Sequence, residues 1–206
     1  MSNINIEIDG ELRELTIDGV RYICRPMEEE PLPRVPIAFS QRNPHWAHIP
    51  LGGSIYTIGS AGCAVVAAAM LGTLCEPTLT PNILVIRLNV AGGFTRDGLL
   101  IWAKVAELVE GLEFVSYHRW RGGPANVAQV RDALSQGPQI LQVDWKPATS
   151  ALDTHFVLGL GMTEDDEDLD IIDPWTGERG TLLNVYGKPD WDLARAIYAL
   201  AEYRTR

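Results

Sequence analysis

The feature that most constrains the fold is a run of small and apolar residues, GCAVVAAAMLGTL, at positions 62–74 of the 206-residue sequence. A helix that is apolar on every face does not belong on a surface, so this run predicts a helix enclosed by the rest of a domain. The chain is long enough to bury such a core without disulfides or metals. Its content of 46% apolar and 21% charged residues is also typical of a folded protein.

Helical patterns precede strand patterns in the main part of the chain. Three further helices are predicted, in TPNILVIRLNVAG (80–92), DGLLIWAKVAELVEG (97–111) and ANVAQVRDALSQG (125–137). Four strands are predicted after them, in PQILQVDW (138–145), THFVLGLGM (154–162), DLDIID (168–173) and GTLLNVY (180–186). The last segment, WDLARAIYALAEY (191–203), is predicted to be an amphipathic helix. This order indicates an α+β fold with a helical half, an antiparallel sheet half and a cleft between them.

The first 36 residues are predicted to form an appendage. Residues 4–24 alternate apolar and polar side chains around Asp9-Gly10 and Asp18-Gly19, which is typical of a β-ribbon with tight turns. The stretch MEEEPLPRVPIAFS that follows indicates a linker, because proline cannot join a central ladder and adjacent glutamates repel. We therefore expect a ribbon and linker at 1–36 and the main domain at 37–206. The ribbon's edge strands are expected to be available to a protein partner.

Charge and cysteine content limit the expected partners. The formal net charge is -10 and no Lys/Arg cluster is present, which argues against nucleic acid and anionic membrane. Three cysteines without paired spacing indicate a reducing compartment. No signal peptide and no apolar run of roughly 20 residues is visible, so the expected location is cytoplasmic. The cysteine and histidine spacings and the glycine pairs match no metal-binding or nucleotide-binding motif, so no metal and no cofactor are expected.

Three residues of the main domain carry reactive groups at positions that favour chemistry. Cys63 falls in the first turn of the central helix, where backbone N–H groups and the helix dipole stabilise a thiolate. His155 begins an apolar strand, and Asp173 ends the next strand just before Pro174. Each residue also has a purely structural interpretation, as a core thiol, a strand-end imidazole bonded to a carbonyl, and a turn carboxylate. Together they predict a nucleophile, a base and the acceptor that holds the base.

Four segments in the same order resemble the C39-like peptidases of the papain-like cysteine hydrolase superfamily. QRNPHWAHIPLGG, TIGSAGCAVVAAAM, HFVLGLG and IIDPWTG are similar to that family's glutamine segment, Gly-Cys helix start, histidine strand and Asp-Pro turn. The resemblance implies a papain-like fold with Cys63 as nucleophile, His155 as general base, Asp173 as orienting carboxylate and Gln41 as oxyanion donor. It also implies acyl transfer through a thioester on a peptide or peptide-like substrate.

A non-enzymatic function is the alternative. In that interpretation a C39-like domain with an idle site acts as an interaction or assembly module, and the N-terminal ribbon contacts the partner. The complete set of Cys63, His155 and Asp173 favours the enzyme, because an idle copy has no chemical reason to retain all three. These residues fit a protease, an isopeptidase, an amidase or a transferase equally, since specificity is built by loops.

Overall fold

The computed structural model describes residues 13–17, 20–24, 35–120, 123–146 and 153–206. Contacts divide the chain into two units, Met1–Arg34 and Val35–Arg206. In the first unit, strands β1 (Arg13–Ile17) and β2 (Val20–Cys24) pair antiparallel. The other strand predicted before residue 13, the two predicted turns and the linker up to residue 34 lie outside the described residues, so those predictions stay predictions.

The second unit contains seven helices and six strands among the residues that the structure describes. The helices are α1 (Ile58–Ala61), α2 (Cys63–Gly72), α3 (Pro81–Val90), α4 (Trp102–Leu108), α5 (Val127–Ser135), α6 (Leu182–Tyr186) and α7 (Leu193–Ala196). The strands are β3 (Leu112–Arg119), β4 (Gln139–Asp144), β5 (Thr154–Met162), β6 (Leu169–Ile172), β7 (Arg179–Thr181) and β8 (Ile197–Thr205). The presence of both helices and strands confirms the predicted α+β class.

A single six-stranded sheet forms the centre of this unit. Its strand order is β3-β8-β4-β5-β6-β7, and every neighbouring pair is antiparallel. Alternate strand residues face two apolar layers, as the pleat requires. The strand residues in the layer with α1–α4 include Ile140, Leu158, Ile172 and Ala201. Those in the layer with α5–α7 include Leu141, Val157, Ile171 and Leu200.

Helix α2 is the enclosed helix that the sequence predicts. Residues 65–72 are all buried, and the helix packs mainly on β5. A Cβ atom at Gly72 would lie 2.5 Å from Cδ2 of Leu79, so the helix tolerates no larger residue there without rearrangement. Each fully buried Val, Leu or Met contributes about 1.5–3 kcal/mol, which makes α2 a fixed support for the residue at its start.

The predicted C-terminal helix is wrong over most of its length. Only Leu193–Ala196 is helical, and Ile197–Thr205 forms β8 between β3 and β4. The Ala and Leu residues of this segment have helix propensity and a helical spacing. A central strand, however, is buried on both faces, and its continuous apolar run cannot be told from a buried helix by periodicity.

Two other element predictions need correction. The segment 180–186, predicted as a fourth strand, contains only the last two residues of β7, and Leu182–Tyr186 is helical. The helix predicted to begin at Asp97 begins instead at Trp102, after a loop with an isolated bridge between Phe94 and Leu100. None of the helices in the described ranges is long and apolar enough to span a bilayer.

Candidate active site

Cys63 is the first residue of α2, directly after a tight junction with α1. The Gly62 N–H donates to the Ile58 carbonyl at 2.8 Å, and a Cβ atom at Gly62 would lie 2.4 Å from that oxygen. The junction therefore has room only for glycine at position 62, and it fixes the residue at which α2 begins. Cys63 is half-buried. Its backbone N–H belongs to the first turn, whose N–H groups have no intrahelical acceptor and carry the positive end of the helix dipole.

His155 is completely buried near the start of β5, opposite Val143 of β4. Its Nε2–H donates to Oδ1 of Asp173 at 2.8 Å. The second ring nitrogen, Nδ1, is buried and has no hydrogen bond of full geometry within the described residues. The Cys63 side chain is close enough to the imidazole to raise the pKa of His155. The structure thus brings Cys63, His155 and Asp173 together.

Asp173 is held by the turn that follows β6. The Asp173 N–H donates to the Glu178 carbonyl, and the Asp173 carbonyl accepts from the Gly177 N–H at 2.7 Å. Gly177 has φ +80°, a conformation that favours glycine, and this closes the turn. The Trp175 N–H donates to the carboxylate Oδ1 at 2.9 Å. Hydrogen bonds within the turn therefore hold the carboxylate independently of its contact with His155.

The surroundings of His155 and Asp173 favour the charged form of each side chain. Burial is the largest single effect on the pKa of His155 and lowers it. The hydrogen bond with Asp173, the proximity of the Cys63 side chain and the charges of both residues outweigh burial and raise that pKa to about 9. Burial raises the pKa of Asp173, but hydrogen bonds from His155 and the Trp175 N–H outweigh it, so the pKa is lowered. At neutral pH the site therefore holds an imidazolium beside a carboxylate.

Gln41 lies between the two sides of the site. It is 1% exposed, and its N–H donates to the Pro174 carbonyl at 2.6 Å, on the turn after Asp173. Its side-chain Nε2 donates to the Gly59 carbonyl of α1 at 3.2 Å. Its Oε1 is buried and has no partner among the described residues. The glutamine thus links the carboxylate turn to the helical turn that leads into the cysteine.

Aromatic side chains surround the imidazole and were not assigned from the sequence. The Trp145 ring centroid lies 4.8 Å from that of His155, and the Tyr186 centroid lies 5.5 Å from it. Trp145 also contacts Trp175 edge-to-face at 4.3 Å, and the Arg42 guanidinium lies 4.5 Å from the Trp175 centroid. The rings restrict the imidazole to one orientation and exclude water from its faces.

The sequence offers a signal for one of these aromatic residues. Trp175 follows the candidate carboxylate within the short motif IIDPWTG, so its proximity to Asp173 is fixed by the turn. Trp145 directly follows β4, and Tyr186 ends α6, in a segment with a strand-like pattern. Their contacts with His155 form only when β4, β5 and α6 assemble, so no local pattern reveals them.

Among the described residues, no group of three or more His, Cys, Asp or Glu side chains is placed to hold a metal ion. The arrangement instead provides a thiol, an imidazole and a carboxylate in series, beside a buried amide. This set can activate a nucleophile and transfer its proton. Comparison of the chain with models of known families and with curated proteins finds no match.

Proposed function

We propose that this protein is a cysteine hydrolase that cleaves an amide bond in a peptide or peptide-like substrate. One observation carries the proposal: His155 is fully buried, donates to Asp173 at 2.8 Å through Nε2, and meets Cys63 at the first residue of α2. A buried imidazole needs a hydrogen-bond partner, but a structural histidine does not need a thiol at a helix start close enough to shift its pKa.

The proposed reaction has two steps. The Cys63 sulfur attacks the substrate carbonyl carbon, the C–N bond breaks, and the imidazolium of His155 gives its proton to the departing amine. A thioester on Cys63 remains. His155 then takes a proton from water, whose oxygen attacks the thioester carbonyl and releases the carboxylic acid and the Cys63 thiolate, which restores the starting state with an imidazolium. Asp173 stabilises the imidazolium and keeps its ring in place without changing its own protonation.

The negative charge on the carbonyl oxygen requires donors. The Cys63 backbone N–H is one, because it belongs to the exposed positive end of α2. Gln41 is the proposed second donor. One of its amide hydrogens is engaged by the Gly59 carbonyl, which anchors the side chain, and the other remains for the oxyanion.

The fold is proposed to be papain-like, as in the C39-like peptidases. Two features support this proposal. A buried helix begins at the candidate nucleophile, and it packs on an antiparallel sheet whose strands β5 and β6 supply the base and the carboxylate. The motif order of the four resembling segments agrees with this placement.

The experiment uses p-nitrophenyl acetate as an acyl donor that needs no knowledge of the natural substrate. We expect p-nitrophenolate release with acetyl transfer to Cys63, detected by peptide mapping at early times. Cys63→Ala should abolish the acetylated species, and Cys75→Ala is the matched control that should retain it. Gln41→Ala should slow turnover by roughly 10²–10³ with little loss of stability.

Two outcomes would count against the proposal. Ester cleavage that persists unchanged in Cys63→Ala would place the nucleophile elsewhere. A wild-type protein that remains unacetylated at Cys63, while correctly folded, would favour the alternative of an idle module that serves as an interaction component.

A further inference from the structure

Asp144 is a buried carboxylate at the end of β4 that the proposed reaction does not use. It is 5% exposed and lies opposite Thr154, the first residue of β5. A buried carboxylate destabilises a fold unless hydrogen bonds compensate for its lost hydration. Its Oδ1 accepts from the Lys146 N–H at 3.1 Å and from the Asp153 N–H at 3.1 Å. One carboxylate oxygen thus holds both sides of the connection between β4 and β5.

Trp145 lies between these two contacts. Its N–H donates to the Asp153 carbonyl at 2.7 Å, which extends the pairing of β4 with β5 by one step. The side chains of Lys146 and Asp153 are 3.9 Å apart and more than half exposed, so their ion pair is a weak restraint. The buried Asp144 carboxylate is the stronger one, because hydrogen bonds to a charged acceptor are stronger than neutral ones. The direction in which the Trp145 side chain leaves the backbone is therefore set by Asp144.

The Trp145 ring contacts both the base and the turn that carries the orienting carboxylate. Its centroid lies 4.8 Å from that of His155 and 4.3 Å from that of Trp175. Oδ1 of Asp173 accepts from His155 at 2.8 Å and from the Trp175 N–H at 2.9 Å. A displaced indole would therefore disturb the imidazole directly and Asp173 through its turn.

We propose that Asp144 is a positioning residue, which fixes the backbone of Trp145 and thereby holds the indole ring against the His155 imidazole. The consequence for the reaction rests on the proposed function, but the position of the imidazole does not. If the carboxylate served only the connection between β4 and β5, its loss would lower stability and leave the surroundings of His155 unchanged.

The test is the NMR chemical shift of the His155 ring protons in the full chain, because the ring current of an indole at 4.8 Å displaces such signals. Trp145→Leu removes the indole and gives the reference position. Asp144→Ala should move the His155 signals towards that reference, and adding Asp144→Ala to Trp145→Leu should move them no further. Asp144→Asn keeps an oxygen acceptor without its charge, so it should give a smaller movement in the same direction. This variant decides the question if Asp144→Ala does not fold.

Asp168→Ala is the matched control. Oδ1 of Asp168 also accepts from two backbone N–H groups, those of Leu169 at 2.8 Å and Leu183 at 3.0 Å. Leu169 pairs with Met162 at the far end of β5, about 23 Å along the strand from His155. Asp168→Ala should therefore lower stability and leave the His155 signals in place.

Acetylation of Cys63 by p-nitrophenyl acetate provides the kinetic readout. It should be roughly tenfold slower in Asp144→Ala than in Asp168→Ala, because small displacements of catalytic groups reduce the rate. His155 signals that stay in place in Asp144→Ala, or in Asp144→Asn if the alanine variant does not fold, would overturn the proposal, as would an equal movement in Asp168→Ala. Movement in Asp144→Ala but not in Asp168→Ala, in a protein that forms no acetyl-Cys63, would support the role of Asp144 and overturn the hydrolase.

Discussion

His155 has opposing influences at the residue scale. Burial favours the neutral imidazole, whereas the Asp173 carboxylate on Nε2 and the nearby charge of Cys63 favour the cation. The second influence wins because the Asp173 carboxylate is charged and is hydrogen-bonded at 2.8 Å. The pair is therefore a source of stability that depends on pH.

The free energy of unfolding is predicted to fall as pH rises from neutral into the alkaline range. The pKa of His155 is raised from 6.5 in the unfolded chain to about 9 in the folded protein. Its contribution is therefore complete below pH 6.5 and is lost as pH rises through about 9. Denaturant unfolding of the wild type and of His155→Gln across this range measures the difference.

The contribution of Asp173 has the opposite dependence. Its pKa is lowered from 3.8, so its contribution is present above pH 3.8 and is lost as pH falls through the folded value. The stability gained by the pair is thus largest between pH 3.8 and pH 6.5. If wild type and His155→Gln lost stability in parallel on the alkaline side, the charged imidazole would have no part in folding.

At the element scale, local patterns predicted the elements that have a distinctive apolar run and clear boundary residues. Helices α2 and α3 and strands β4 and β5 follow from apolar runs and from the helix-start and turn residues beside them. Strand β8 could not be predicted in this way. Its residues Ile197, Leu200 and Ala201 are spaced as in a helix, and only pairing with β3 and β4 makes them a strand.

The same distinction applies to the site. Cys63 and Asp173 lie at element boundaries marked by Gly62 and Pro174, and His155 is the polar residue that interrupts an apolar strand, so local sequence signals point to them. Trp145 and Tyr186 belong to no motif that links them to His155. They reach His155 from neighbouring elements of the assembled fold, and tertiary packing is not encoded in a local pattern.

Gly62→Ala is predicted to disturb the start of α2 specifically. The added Cβ would meet the Ile58 carbonyl oxygen at 2.4 Å, so the junction between α1 and α2 must shift. We expect a loss of about 1–3 kcal/mol in the free energy of unfolding, and slower acetylation of Cys63, because overpacking moves its backbone. Thermal unfolding and the ester assay measure the two effects.

Gly161→Ala is the control, because no atom lies within 4 Å of a Cβ built there. It keeps a change from glycine to alanine but removes the collision. A Gly62→Ala protein as stable and as reactive as Gly161→Ala would show that the tight junction does not hold Cys63 in place.

At the scale of the whole molecule, the sheet organises the site. Its two apolar layers fix α2 on one face and α6 on the other, and the start of β5 lies beside the end of β6. Residues that are 110 positions apart in sequence, Cys63 and Asp173, are therefore joined through His155 by the packing of two rigid elements. Of the two cysteines whose side chains the structure describes, Cys63 occupies such a setting.

The most direct test is alkylation of the native protein with limiting iodoacetamide at neutral pH, with peptide mapping of Cys24, Cys63 and Cys75 over time. Cys75 is half-buried like Cys63 and lies just beyond the other end of α2, so it controls for exposure. We predict that Cys63 reacts at least about tenfold faster than the other two, and that His155→Gln removes most of this advantage. Equal labelling of all three cysteines, or labelling of Cys63 only after unfolding, would contradict the account.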